Sequence, residues 1–347
     1  MIATPSLSTP VPARSESKLL PSLGILLVTG GLFVLAWFAY LWLTPEPPPY
    51  RYQLVEEGGV SKFSALGLEA WPNLTISKFE VRVDSVEKPI AVAYRAARNG
   101  SAPVLLNWEN RISDPLTSMG SMLPELTALA AALVKHVPKD AVILSWWDTS
   151  RQIKLLTERD TFFTSYLGQP VITPSYWRGR SGAIGKYEQE FWGTPPPAEE
   201  SQQFERFLEA LAAFPNEGAR MLREIAGPRE AYVVVHVTDI YKLGLMRPER
   251  LDVAFKEFPL TGNVHGLSGQ VKAWMISNNY DAYTLQSLSE KEVRAYFLRE
   301  SGGSNMLLAR MLPFSKWRPL DLEALQLIHK EGGYWVYKIP PAEPSRG

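Results

Sequence analysis

The stretch AVILSWWDTSRQIKLLTERDTFF, residues 141–163, runs from an unbroken apolar segment through a polar turn into helical spacing. A continuous apolar run suits a strand covered on both faces. The residues after it, 151–156, read as a helix, so the stretch predicts strand, turn, helix, the repeating unit of an α/β domain. Trp146 and Trp147 stand where strand meets turn. If the strand persists through both, they point to opposite faces, and at most one of them is core.

Loops that leave the carboxyl ends of central strands are where α/β domains bind ligands. That makes Trp146, Trp147, Asp148, Thr149 and Arg151 candidate binding residues. A flat ring covers the apolar parts of a polar chain, and an acid orients its donors. The same residues also fit a plainer role, with Asp148, Thr149 or Ser150 capping the helix and the tryptophans packing.

Around this unit the chain alternates. YRYQLV (50–55), LTISKFEVRV (74–83) and IAVAY (90–94) are strand candidates, and 76–83 alternates as one half-buried face does. PVLLNW (103–108) and AYVVVHV (231–237) are continuous apolar runs that suit central strands. Helices are expected over 122–137, 199–214 and 304–312, and YWVYKI (334–339) closes as a strand. SEKE (289–292) fits a capping box opening a helix that holds Val293, Phe297 and Leu298. The fold class expected is α/β: an N-terminal membrane helix, then a mixed α/β domain with additional N-terminal strands.

A second aromatic and basic cluster, YWRGRSGAIGKYEQEFWG (176–193), contributes Tyr176, Trp177 and Arg178 as further binding candidates. Its glycines and basic residues lack phosphate-loop spacing, and no apolar strand leads into them. It reads first as a mobile surface loop and second as a partner-docking segment, since tryptophan, tyrosine and arginine are enriched at interface hot spots.

The chain has no cysteine, which excludes disulfides, thiolate metal sites, cysteine nucleophiles and CxxCH haem attachment. The four histidines have no HxH or HExxH spacing, so no metal site and no cofactor is expected. His136 falls at a helix end, His265 in a Gly-rich loop and His329 on a late helix. His236, beside Thr238 and Asp239, is the pairing of interest. Equal numbers of basic and acidic residues, 36 each, give no sign of nucleic-acid binding. No catalytic residues are assigned: a GxSxG elbow is absent, and the reading is of an interaction protein rather than an enzyme.

Residues 19–44 carry no charge and exceed the roughly 20 apolar residues a helix needs to cross a bilayer. Trp37, Tyr40 and Trp42 gather at the far end, as interfacial aromatics do. The run is longer than the apolar core of a cleaved signal peptide and reads as a retained anchor. Arg14 and Lys18 before it favour a cytoplasmic N-terminus in the inner membrane. The organisation expected is a disordered start (1–18), the membrane helix (19–44), a Pro-rich spacer (45–50), an extracytoplasmic domain (51–340) and a tail (341–347).

Two resemblances follow from these residues. SWWDTSRQIKLLTERDTFF resembles the WWD region of bacterial and archaeal oligosaccharyltransferase catalytic subunits, with ARMLREI (219–225), AYVVVHV (231–237) and LLARML (307–312) in similar order. It implies an extracytoplasmic peptide- or glycan-binding domain with Trp146, Trp147 and Asp148 as the binding triplet. Thr149 and Ser150 depart from that family's usual tyrosine and glycine, and one span is too few for its membrane catalysis. Over most of its length the chain is more similar to the HaoB family. The features that carry this are KLLPSLGILLVTGGLFVLAWFAYLW (18–42), NWENRISDPLTSMG (107–120) and the opening stretch. That resemblance implies an accessory protein of hydroxylamine oxidation, with the multihaem hydroxylamine oxidoreductase as partner.

Overall fold

A computed structural model describes residues 19–43, 47–98, 100–119, 122–193, 195–260, 264–299 and 305–341. The expectations for 1–18, 45–46 and 342–347 lie outside the described residues. The chain divides into two compact units, 1–47 and 48–347. In the first, α1 (Leu19–Leu43) is a single helix. At 1.5 Å per residue it is about 37 Å long. Its side chains from Ser22 to Tyr40 are exposed, and it is long and apolar enough to cross a membrane, as a signal sequence also is.

The second unit opens with an antiparallel meander of β1 (Arg51–Gly59), β2 (Leu74–Arg82), β3 (Ala91–Arg98) and β4 (Val104–Asn110), in that order across the sheet. β4 corrects an expectation. Its sequence reads as doubly covered, yet it is an edge strand with Val104, Leu106 and Trp108 inward and the residues between them only half-buried. The polar Asn107 marks the face that the surrounding leucines obscure.

Then come α2 (Leu123–His136), β5 (Val142–Ser145), α3 (Trp147–Thr157) and the short β6 (Asp160–Thr161). A 3-10 turn, Ser175–Arg180, leads into α4 (Ser181–Trp192), followed by α5 (Ala198–Ala212) and α6 (Pro215–Ala226). The 176–193 segment is therefore helical and not a loop. Ile184, Glu188 and Trp192, four residues apart, form the buried stripe that holds it.

β7 (Ala231–His236) runs into α7 (Asp239–Met246). β8 (Val253–Pro259), α8 (Val264–Ser277), β9 (Ala282–Ser289) and β10 (Glu292–Leu298) follow, and β10 is the centre of a three-stranded antiparallel sheet. The helix expected from SEKE is thus a strand. Val293, Ala295 and Phe297 pack under α8, whereas Tyr296 and Leu298 join the main core. Val293 and Phe297 are four apart, a spacing that helix and strand share, and the residues between them decide for the strand. α9 (Leu307–Met311) precedes the closing hairpin β11 (Gln326–Glu331) and β12 (Tyr334–Ile339). His329 accordingly lies on a strand and His265 within α8, not in a helix and a loop as expected.

The central sheet has the order β11-β12-β7-β5-β6, with β7, β5 and β6 parallel. Val142, Leu144, Val233 and Val235 face α5, α6 and α9. Ile143, Tyr232 and Val234 face α2, α3 and the N-terminal meander. Burial on both faces explains why β5 and β7 read as unbroken apolar runs.

Candidate functional site

Parallel neighbours β5 and β7 end side by side, with Ser145 opposite Val234, so the turns at 146–149 and 236–239 meet at one edge of the sheet. Trp146 directs α3. Its extended backbone ends the strand, its carbonyl accepts the Ser150 N–H at 2.8 Å, and its indole is fully buried edge-on against Phe204. Thr149 and Ser150 are buried inside the helix and do not cap it. Asp148 occupies the first turn, where a negative charge favours the helix dipole, and its Oδ1 accepts the Thr149 N–H at 2.7 Å. Trp147 is half-buried at 4.7 Å from the Tyr166 ring. The indole N–H groups of Trp146 and Trp147 both donate to the Gln169 carbonyl, at 3.3 and 2.5 Å.

Lys242, one turn into α7, is the residue that sequence reasoning missed. Its buried Nζ lies 2.8 Å from Asp148 Oδ2, 3.2 Å from Asp239 Oδ1 and 5.3 Å from the Trp146 ring. Burial works against the ammonium, but Asp148 and Asp239 outweigh it and hold its pKa above the ordinary lysine value. The sequence signal was a lone lysine three residues after Asp239 in an otherwise apolar helix.

His236, flagged with Thr238 and Asp239, is found among them. Its backbone N–H donates to Asp239 Oδ2 at 2.8 Å. The Thr238 N–H points at His236 Nδ1 at 3.3 Å, and the Thr238 hydroxyl lies 2.8 Å from the same nitrogen. The ring's Nε2 lies 3.7 Å from Glu125 Oε2, which in turn accepts the Gly333 N–H at 3.0 Å.

Arg151 is buried. It donates to the Pro103 carbonyl at 2.5 Å and the Trp192 carbonyl at 3.3 Å, with its guanidinium 5.5 Å from the Tyr166 ring. These bonds clamp α3 to the start of β4 and the end of α4. Beyond Tyr166 lies Glu188, only 3% exposed. It accepts hydrogen bonds from the Tyr50 and Tyr52 hydroxyls, the latter at 2.7 Å, and from Trp192 Nε1 at 2.8 Å. Burial pushes its pKa above the usual carboxylate range, and each of those donors pulls it partly back.

Between these groups is a cavity of about 60 Å³ bounded by Asp148, Trp147, Tyr166, Glu188, Trp108 and Lys242. Of the candidates at 146–151, Trp147, Asp148, Thr149 and Arg151 border this space, whereas Trp146 is buried in the main core. Tyr176, Trp177 and Arg178 are not among the residues that bound it. Tyr176 is 63% exposed and Arg178 is exposed, whereas Trp177 is half-buried and stacks on Tyr50 at 5.6 Å. Among the described residues no group of three or more histidine, aspartate or glutamate side chains is arranged to hold a metal ion.

Residues 16–339 match the family described as HaoA-associated protein HaoB. The chain belongs to this family. No curated protein matches it. Among solved structures, the crystal structure of the C. jejuni PglB C-terminal domain is similar at 11% identity and a TM-score of 0.36, covering 62% of this HaoB-family chain and 99% of that domain.

Proposed function

We propose that this HaoB-family chain is a single-pass, membrane-anchored extracytoplasmic accessory protein of hydroxylamine oxidation that docks hydroxylamine oxidoreductase at the inner membrane. The observation that carries the reading is the family match, which extends over nearly the whole chain and bears the description HaoA-associated. The exposed apolar surface of α1 supports the anchor. The docking surface we assign includes Tyr176 and Arg178, exposed side chains of the types that dominate interfaces, set on a helical turn fixed by Trp177 against Tyr50. The peptide- or glycan-binding alternative has less support. Lys242 already occupies Asp148 Oδ2, an acceptor that a ligand's donor would need.

The test is co-purification of the detergent-solubilised full chain with hydroxylamine oxidoreductase from native membranes. Recovery of the multihaem partner is expected, and the double substitution Tyr176→Ala, Arg178→Glu should weaken that association by at least about tenfold. Absence of the partner from the purified chain would overturn the proposal.

A further inference from the structure

Among the described residues the three sheets present six edge strands, and an edge leaves N–H and C=O groups that native proteins cover, bend away or guard with charge. Five of these edges are managed in that way. β1 carries Arg51, Glu56 and Glu57 and a register shift after Leu54. Its Tyr52 N–H donates to the Tyr187 hydroxyl and its Glu57 carbonyl accepts from Lys62, both at 3.0 Å. At β4 the carbonyls of Pro103 and Leu105 accept from Arg151 and Gln152. β6 is two residues long. β8 holds Lys256, Glu257 and Pro259, and β11 holds Lys330, Glu331 and a register shift of its own.

The sixth edge, β9, differs. Its sequence AYTLQSLS has no charge and no proline. The Tyr283 N–H donates to the Ser315 hydroxyl and the Tyr283 carbonyl accepts the Ser315 N–H, so at that residue the main chain faces away from β10. The register with β10 runs unbroken from Ala282 to Ser287, and alternation turns the main-chain groups of Leu285 and Ser287 the same way. Both residues are exposed, Leu285 by 41%, whereas Thr284 and Gln286 beside them are buried. The free stretch is short. Ser315 closes one end of it, and the register shift beyond Ser287 closes the other.

An uncharged strand opposes no like charges when it meets its own copy, so β9 is complementary to itself. We propose that β9 pairs antiparallel with β9 of a second copy of this chain, centred on Gln286, with Leu285 opposite Ser287 of the second copy and the two three-stranded sheets joined into one. Each of the two opposed pairs then exchanges both of its N–H···O bonds. Centring on Leu285 instead would set Ser287 against Tyr283, whose groups Ser315 already holds. The contact is smaller than the interfaces that hold soluble partners together, so it depends on both copies sharing one membrane, where tethering raises their effective concentration. That tether rests on the anchor proposed above.

The chain has no cysteine, so introduced thiols report without competition. Leu285→Cys and Ser287→Cys forms of the full chain, carrying tags of different length, are made together and their membranes oxidised with copper phenanthroline. Opposed residues of a hydrogen-bonded pair stand about 5.5 Å apart at Cα, within disulfide reach, whereas the diagonal 285–285 and 287–287 pairs stand about 7–8 Å apart, beyond it. The mixed covalent dimer is expected to exceed either same-variant dimer by at least about fivefold. Adding Ser287→Pro to the Leu285→Cys chain removes an edge N–H that β10 does not use, and should cut the mixed dimer by at least about threefold. No covalent dimer, same-variant dimers as abundant as the mixed one, or a yield unchanged by Ser287→Pro would each overturn the pairing. Carbonate washing of the same membranes checks the anchor separately, and docking of hydroxylamine oxidoreductase rests on other residues, so failure here leaves both standing.

Discussion

Lys242 holds together two loops that belong to different strands. Its ammonium is shared between Asp148 after β5 and Asp239 after β7, with the Trp146 ring alongside. Removing one partner of a buried ion pair leaves the others uncompensated, which costs about 3–5 kcal/mol. Lys242→Met keeps the aliphatic stem but strands two carboxylates, so urea unfolding should show a loss of that order. The double change Lys242→Met, Asp148→Asn should recover part of it, and a double-mutant cycle measures the coupling. Glu188 makes a second residue-scale prediction. Its folded pKa is raised, so between the unfolded value of about 4.3 and the folded value the native state binds more protons. Its contribution to stability is therefore full below the unfolded value and is lost as pH rises through the folded one. Glu188→Gln keeps an acceptor for the Tyr50 and Tyr52 hydroxyls and cannot ionise. Thermal melts across that window should show a flatter pH dependence than the unaltered chain.

At the level of elements, α5 and α6 pack so closely that one glycine sets their spacing. A Cβ on Gly218 would lie 2.4 Å from the Ala210 carbonyl oxygen and 2.8 Å from a Leu307 methyl. Alanine gains up to about 1 kcal/mol of helix propensity over glycine. The clash with a backbone carbonyl, which cannot rotate away, exceeds that gain, and overpacking costs typically about 1–3 kcal/mol. Gly218→Ala should therefore lower the melting temperature, whereas Gly182→Ala near the start of α4, where nothing lies within 4 Å, should leave it unchanged or raise it. Elements of this kind also mark where the sequence was legible. β5, β7, α2 and α5 were readable because burial on both faces, or on one stripe, wrote an unbroken or 3.6-residue pattern. β10 was misread because Val293 and Phe297 satisfy both periods. Part of the site was legible too. Trp147, Asp148, Thr149 and Arg151 border one cavity, while Trp146 is core, and His236 does meet Thr238 and Asp239. Glu188 and Lys242 were not, since their importance comes from partners 138 and 94 residues away in the chain, Tyr50 and Asp148.

For the whole molecule, the division into units 1–47 and 48–347 makes attachment and folding separable. The core clusters found among the described residues of the larger unit draw on residues from Tyr50 onward. A chain of 48–347, exported behind a cleavable signal, should melt within about 2 °C of the detergent-solubilised full chain, a window that corresponds to roughly 1 kcal/mol for a domain this large. The two forms should differ in where they fractionate. Carbonate-washed membranes should retain the full chain through α1, and the shortened form should appear in the soluble extract. If docking resides in the surface around Tyr176 and Arg178, the soluble form should still bind hydroxylamine oxidoreductase in solution yet no longer carry it into the membrane fraction. Loss of binding together with loss of the membrane helix would instead put the contact on α1 itself, and the assignment of that surface would fall.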